Sequence, residues 1–279
     1  MDLISQFTED AEFSKLLGFQ SGVDLTCAAL ELARDCDPRL EFAPTLAALD
    51  DIAERLRPAV TRLRSDVDAL RKMCDALAEE FDFGGDSACF ERADSSYLNR
   101  VVETGRGIPI SLSLVYVAVG ERLGLPLSGV ATPAHFLCRF DGLAGPLFVD
   151  AFRHGRVLDP AECIDWISDV SGLPVAAVRP SLEPAAPRTI ITRMLNNLKA
   201  LHLRQADWRA AESVLQRLLA LRPGSFCDRR DLAAVSLMLE RPGRVLDLFE
   251  SFSNYASDEE RESACEMLSA ARQLIIAWN

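Results

Sequence analysis

The sequence predicts an α+β protein that is mainly helical, and three observations carry the prediction. Apolar residues recur at helical spacing through residues 1–85. A helix opening at Pro109 is followed by short β-like runs between residues 128 and 152, the order expected of a small antiparallel sheet in an α+β unit. Beyond residue 188 every segment is again helical in period. The chain is therefore expected to divide into a helical region at 1–85, an α+β domain at 86–180 and helical repeats at 188–279. Residues 181–187, SLEPAAP, carry two prolines and read as a linker.

In the first region Leu25, Ala28, Ala29 and Leu32 form one apolar stripe, which Pro38 and Pro44 interrupt. A second helix is expected from Thr45, placed to cap the run Leu46, Leu49, Ile52, Ala53 and Leu56. A third spans 59–81 through Val60, Leu63, Val67, Leu70, Met73, Cys74 and Leu77, and Gly84-Gly85 stop it. In the second region the expected strands are 128–132, 134–140 and 146–152, with Gly142-Leu143-Ala144-Gly145 as the turn between the last two. A helix returns after Pro160. The last region reads as helices at 188–204, 208–221, 226–239, 243–252 and 258–278. Gln205, Trp208, Ala210 and Ala211 recur 35 residues later as Glu240, Gly243, Val245 and Leu246. That is close to the period of ~34 residues of tetratricopeptide-type (TPR) helix pairs, with a plain helical bundle as the alternative.

Composition excludes several functions. The formal net charge is −12, and all of it falls in residues 1–180. A nucleic-acid surface needs clustered Lys and Arg to displace counterions. An acidic front half and three lysines supply neither that surface nor a polybasic membrane patch. The eight cysteines contain no CxxC pair, so no zinc-type spacing exists, and neither a metal nor a cofactor is expected. There is no basic-then-apolar leader and no apolar run of ~18–20 residues. The expected location is the reducing cytoplasm, with the cysteines mostly serving as small buried hydrophobes. His154 and His202 stand apart from other ligand types and are expected at the surface.

Residues 95–140, SSYLNRVVETGRGIPISLSLVYVAVGERLGLPLSGVATPAHFLCRF, and 148–163, FVDAFRHGRVLDPAEC, closely resemble a bacterial family of transglutaminase-like proteins with a C-terminal tetratricopeptide region. The family takes its name from a proposed regulator of invasion genes. Residues 27–41 and 193–224 agree with it too, so the resemblance covers nearly the whole chain. It implies a transglutaminase-like (papain-like) core. In active members of the superfamily a Cys at a helix N-terminus is activated by His, and a carboxylate orients the imidazole. His135 and Asp150 match that His and Asp. The nucleophile does not match, because Pro109 stands where the Cys should open the helix closed by Leu123-Gly124-Leu125-Pro126. Pro suits a first helical position but cannot attack a carbonyl. Ser111 lies about 200° round the helix from Pro109, and Ser113 returns to the same face about one turn deeper. Cys138 is expected to face away from His135, and Cys89 lies in a preceding loop. The chain also departs from the family at Ser95-Ser96, Gly105, Ala134 and Ala151.

The leading expectation is a pseudoenzyme, a non-catalytic interaction or regulatory module that takes a protein or peptide partner on its C-terminal repeats, with no nucleic acid or membrane involved. The alternative is a hydrolase or acyl transferase with a non-standard nucleophile such as Ser113 in the His135/Asp150 cleft.

Overall fold

A computed structural model describes residues 5–250, 252 and 257–277. The helices are α1 (Ala11–Leu17), α2 (Leu25–Ala33), α3 (Ala43–Val60), α4 (Asp66–Glu79), α5 (Leu98–Thr104), α6 (Pro109–Leu123), α7 (Pro160–Ser171), α8 (Val175–Val178), α9 (Pro187–Arg204), α10 (Trp208–Leu221), α11 (Phe226–Met238), α12 (Pro242–Glu250) and α13 (Asp258–Ala277). Between α6 and α7 lie β1 (Leu127–Val130), β2 (Leu137–Gly142), β3 (Gly145–Asp150) and β4 (Arg156–Leu158). The chain is thus a mainly helical α+β protein with one small antiparallel sheet, as the sequence predicts. No described helix is long and apolar enough to cross a membrane. Two compact units result, one of Val23–Met194 and one of Met1–Gly22 with Leu195–Asn279.

In the Val23–Met194 unit the strands follow in the order β1-β2-β3-β4, each antiparallel to the next. A two-residue turn, Leu143-Ala144, joins β2 to β3 opposite the Gly142–Gly145 pair. Gly145 has φ +113°, a value open to glycine and to few other residues. On one side of the sheet Val130, Leu137, Phe148 and Leu158 pack with Cys163, Ile164 and Ile167 of α7. Helix α6 packs on β1 and β2 and against α3.

Several local expectations need correction. Helix α3 starts at Ala43, so Thr45 is buried in its first turn and caps nothing; Pro58 lies inside the helix near its end. The next helix starts at Asp66 instead of residue 59, capped by Ser65 Oγ, which accepts from the Asp68 N–H (3.3 Å). Gly84 and Gly85 lie beyond the end of α4. They serve close approach, because a Cβ on Gly84 would sit 2.6 Å from the His154 ring and one on Gly85 2.1 Å from the Phe152 ring. The run 134–140 becomes a strand only at Leu137, since Pro133-Ala134 form a turn with Ala134 at φ +58°. Strand β4 escaped sequence reading because three residues are too few to show alternation.

Residues 181–187 are not a free linker. Leu182 is buried in the sheet's core, and the Ala185 N–H donates to the Gly129 carbonyl (2.8 Å). Ile190, Ile191 and Met194 of α9 are buried as well, and this unit ends within α9. The expected boundaries at residues 85 and 180–188 therefore do not coincide with those of the compact units.

In the other unit α10 and α12 start 34 residues apart, at Trp208 and Pro242. Each is preceded by a turn residue of positive φ, Ala206 (+54°) and Glu240 (+57°). Ala211, Leu215, Leu219, Phe226, Leu232, Val245, Phe249 and Ala271 form the core of α10–α13. The expected end of the last helix, Trp278, lies outside the described residues. Residues 5–17 belong here and not with the helices that follow them, because α1 packs on α10. Arg217 of α10, only 2% exposed, lies over the rings of both Phe7 (4.7 Å) and Phe13 (4.8 Å) and donates to Asp10 Oδ2 (2.7 Å).

The cysteine expectation holds for Cys74, Cys89, Cys138 and Cys163, which are buried; Cys36, Cys227 and Cys265 are exposed. His202 also departs from expectation, being buried on the inner face of α9. Burial lowers its pKa from 6.5, against an opposing pull from Asp207, whose Oδ2 is 3.6 Å from Nδ1. Folding therefore favours the neutral ring, whose contribution is complete above the unfolded value and is lost as pH falls from about 6.5 toward the lower folded value. Melting temperature is expected to drop more steeply between pH 7 and 5 in the wild type than in His202→Gln. Parallel curves would refute this.

Candidate functional site

The site is built where the sheet meets α6. Asp150 is the last residue of β3 and is fully buried. Its carboxylate accepts from the Arg153 N–H (3.3 Å), which caps the single 3-10 turn Ala151–Arg153, and from His135 Nε2 (2.9 Å). His135 lies two residues ahead of β2, the strand paired with β3 through Cys138–Val149. It is therefore in a turn and not within a strand. That turn is fixed from a distance. Arg193 of α9 donates through Nη1 to the Thr132 carbonyl (2.6 Å) and through Nη2 to the His135 carbonyl (2.7 Å), and Thr132 Oγ1 donates to the His135 carbonyl (3.0 Å). Burial pulls the Arg193 pKa down, the expected cost of holding a guanidinium against backbone carbonyls away from water.

Aromatic rings flank the histidine. The Trp166 ring meets it edge-on at 4.9 Å and Phe152 at 6.2 Å, while Arg153 stacks over Trp166 at 4.7 Å. Phe90 lies 5.6 Å from Phe152 and is half-exposed.

Pro109 is the first residue of α6 and is buried. The chain leading into α6 is tied to the dyad's turn through Gly85, whose N–H donates to the Phe152 carbonyl (3.1 Å). A Cβ on Gly85 would meet both the Phe152 ring and the Gly107 carbonyl. Ser111 is committed to starting the helix. Its Oγ accepts from the Ile108 N–H (3.1 Å) and donates to the Ser95 carbonyl (2.6 Å), which also receives the Ile108 N–H (3.0 Å).

The remaining candidates are sealed in. Ser113 is 0% exposed. Cys138 donates its S–H to the Ser113 carbonyl (3.4 Å), and burial pushes its thiol up to about 12. Cys163 is pushed up to about 12 for the same reason, and Cys74 goes up further still. Cys89 is buried in a short turn capped by Asp86. The thiols of Cys74, Cys138 and Cys163, held protonated, are no nucleophiles. Among the described residues no group of three or more His, Cys, Asp or Glu is placed to hold a metal.

Reading the sequence missed Arg193 and Trp166. Arg193 lies 58 residues from His135 in an ordinary helical pattern, so no local signal marks it.

This arrangement of a helix start, a His–Asp pair held by the turn before β2 and the end of β3, and a four-stranded antiparallel sheet defines a class. The family model of the transglutaminase-like superfamily matches residues 43–196, more than half of the chain, and the chain belongs to that superfamily. Among curated proteins it is similar to a UPF0162 protein of Xylella fastidiosa (strain 9a5c), 32% identical over 237 residues and covering 84% of each chain. It is 27% identical to UPF0162 protein PA3419 of Pseudomonas aeruginosa over 77% of this chain and 78% of that one. Protein SirB1 of Salmonella typhimurium is 26% identical over 72% of this chain and 76% of that one. No solved structure gives a significant match.

Proposed function

We propose that this protein is a non-catalytic member of the superfamily, working in the cytoplasm as a protein-interaction or regulatory module. The observation that carries the reading is Pro109 at the first position of α6, with Ser111 bonded to backbone and Ser113, Cys89 and Cys138 buried. The His135–Asp150 pair keeps its geometry but has no group to activate. The partner is a protein or peptide segment taken by helices α10–α13. The 34-residue spacing of α10 and α12 supports TPR-type stacking there, which builds surfaces suited to extended segments. Residues 181–279 carry balanced charge, so binding should depend only weakly on salt.

The test compares partner capture by two variants of the full chain. His135→Ala removes the dyad at a cost of about 1–3 kcal/mol and should leave capture unchanged. Met238→Glu with Ile276→Glu charges two large apolar side chains that are 57% and 74% exposed on the helical unit. Capture should fall at least tenfold. The reverse pattern, in folded proteins, would move binding to the dyad's cleft.

A further inference from the structure

Behind the dyad, Tyr116 OH on α6 and Asp150 Oδ2 on β3 are buried without a hydrogen-bond partner among protein atoms, and the Ser113 side chain on α6 is buried beside the Cys138 thiol. Ser113 and Tyr116 are three residues apart, on one face of the helix. Helix α6 packs on β1 and β2, and the Cys138 S–H donates to the Ser113 backbone carbonyl. Tyr116 OH lies against the turn after β3. A Cβ on Gly155 would be 3.0 Å from the phenol oxygen, and the Gly155 N–H donates to the Asp150 carbonyl (3.0 Å). The same Cβ would be 3.0 Å from Cys74 Cβ, so the space is closed on that side. Asp150 Oδ1 is occupied by His135 and the Arg153 N–H, whereas the nearest cation to Oδ2, Arg153 Nε at 3.8 Å, is beyond hydrogen-bond reach. Burial is the main cause that pushes the Tyr116 and Cys138 pKa values up; Asp150 adds to both, and the Ser113 side chain pulls Cys138 the other way.

A carboxylate oxygen and two hydroxyls, each able to donate, are the two to four polar partners that a buried water requires. We propose that Ser113, Tyr116 and Asp150 enclose an ordered-water site, which extends the dyad into a buried relay of His135, Asp150, water and the two α6 hydroxyls. Ser113 and Tyr116 are then positioning residues: they hold Asp150 from behind while His135 holds it in front. This gives Ser113 a role that is not nucleophilic, and it rests on the dyad's geometry alone, whatever the C-terminal helices bind.

The experiment uses the full chain with Tyr116→Phe and Ser113→Ala. The readout is the low-field imidazole N–H resonance of His135, alongside high-resolution diffraction from the wild type. The relay predicts a water peak within about 3.2 Å of Asp150 Oδ2 and of at least one hydroxyl. It also predicts a shifted, faster-exchanging His135 resonance in Tyr116→Phe, with a melting temperature several degrees lower. A hydroxyl that truly lacked a partner would behave oppositely, since its removal is neutral or stabilising. An unmoved His135 resonance in both variants overturns the proposal even if stability falls, because a merely structural loss would leave the dyad's proton untouched. An empty density map around Asp150 Oδ2 overturns it as well.

Discussion

A fragment ending at Pro187 is expected to lose its cooperative fold, whereas one spanning residues 23–196 keeps it. The proline-rich stretch 181–187 invites a cut there, but the unit it would release depends on the helix beyond. Ile190, Ile191 and Met194 are buried, and truncating even one such side chain to Ala costs about 2–5 kcal/mol. Arg193 is lost too, leaving the Thr132 and His135 carbonyls without their donors. Together these losses rival the whole stability of an ordinary domain, about 5–15 kcal/mol. Circular dichroism melts should show a sigmoidal transition for 23–196 and none for a fragment ending at 187. Equal transitions would show that the start of α9 is dispensable.

The second large effect concerns Arg217. Arg217→Ala leaves Asp10 without its buried guanidinium and removes two cation–ring contacts, with Phe7 and Phe13. Breaking a buried ion pair from one side costs about 3–5 kcal/mol. The urea midpoint should fall accordingly, and limited proteolysis should attack residues 5–17 before the rest of the chain. Arg217→Met with Asp10→Asn removes both charges while retaining bulk, and should recover a large part of the loss. A change below about 1 kcal/mol in Arg217→Ala would mean that the N-terminal segment is held by something else.

Legibility followed the locality of the signal. Helices α10 and α11 are capped by their own neighbours, Asp207 and Ser225, so their starts could be read where they occur. Histidine and aspartate at 135 and 150 could be singled out because a specific multi-part motif surrounds them. What escaped depends on distant chain. The sequence alone does not show that residues 5–17 pack on α10 through Arg217, or that Leu182 and Ala185 are docked on the sheet. Gly84 and Gly85 look like helix stops until the rings of His154 and Phe152 are seen pressing on them. The break between the second and third helices falls at residues 61–65, because α3 carries on through Pro58 to Val60 and Ser65 caps the next helix.

On the proposed reading, the His135–Asp150 site performs no covalent chemistry. The most direct measurement is intact-mass analysis of the full chain after incubation with a glutamine-containing peptide and an amine, and separately with serine- and thiol-directed acylating probes. Exposed Cys36, Cys227 and Cys265 would react with thiol reagents on their own account, so the thiol probe is read on a variant with serine at those three positions. The prediction is no turnover, no burst and no label at Ser111 or Ser113. A stoichiometric burst of product that disappears in Ser113→Ala would contradict it.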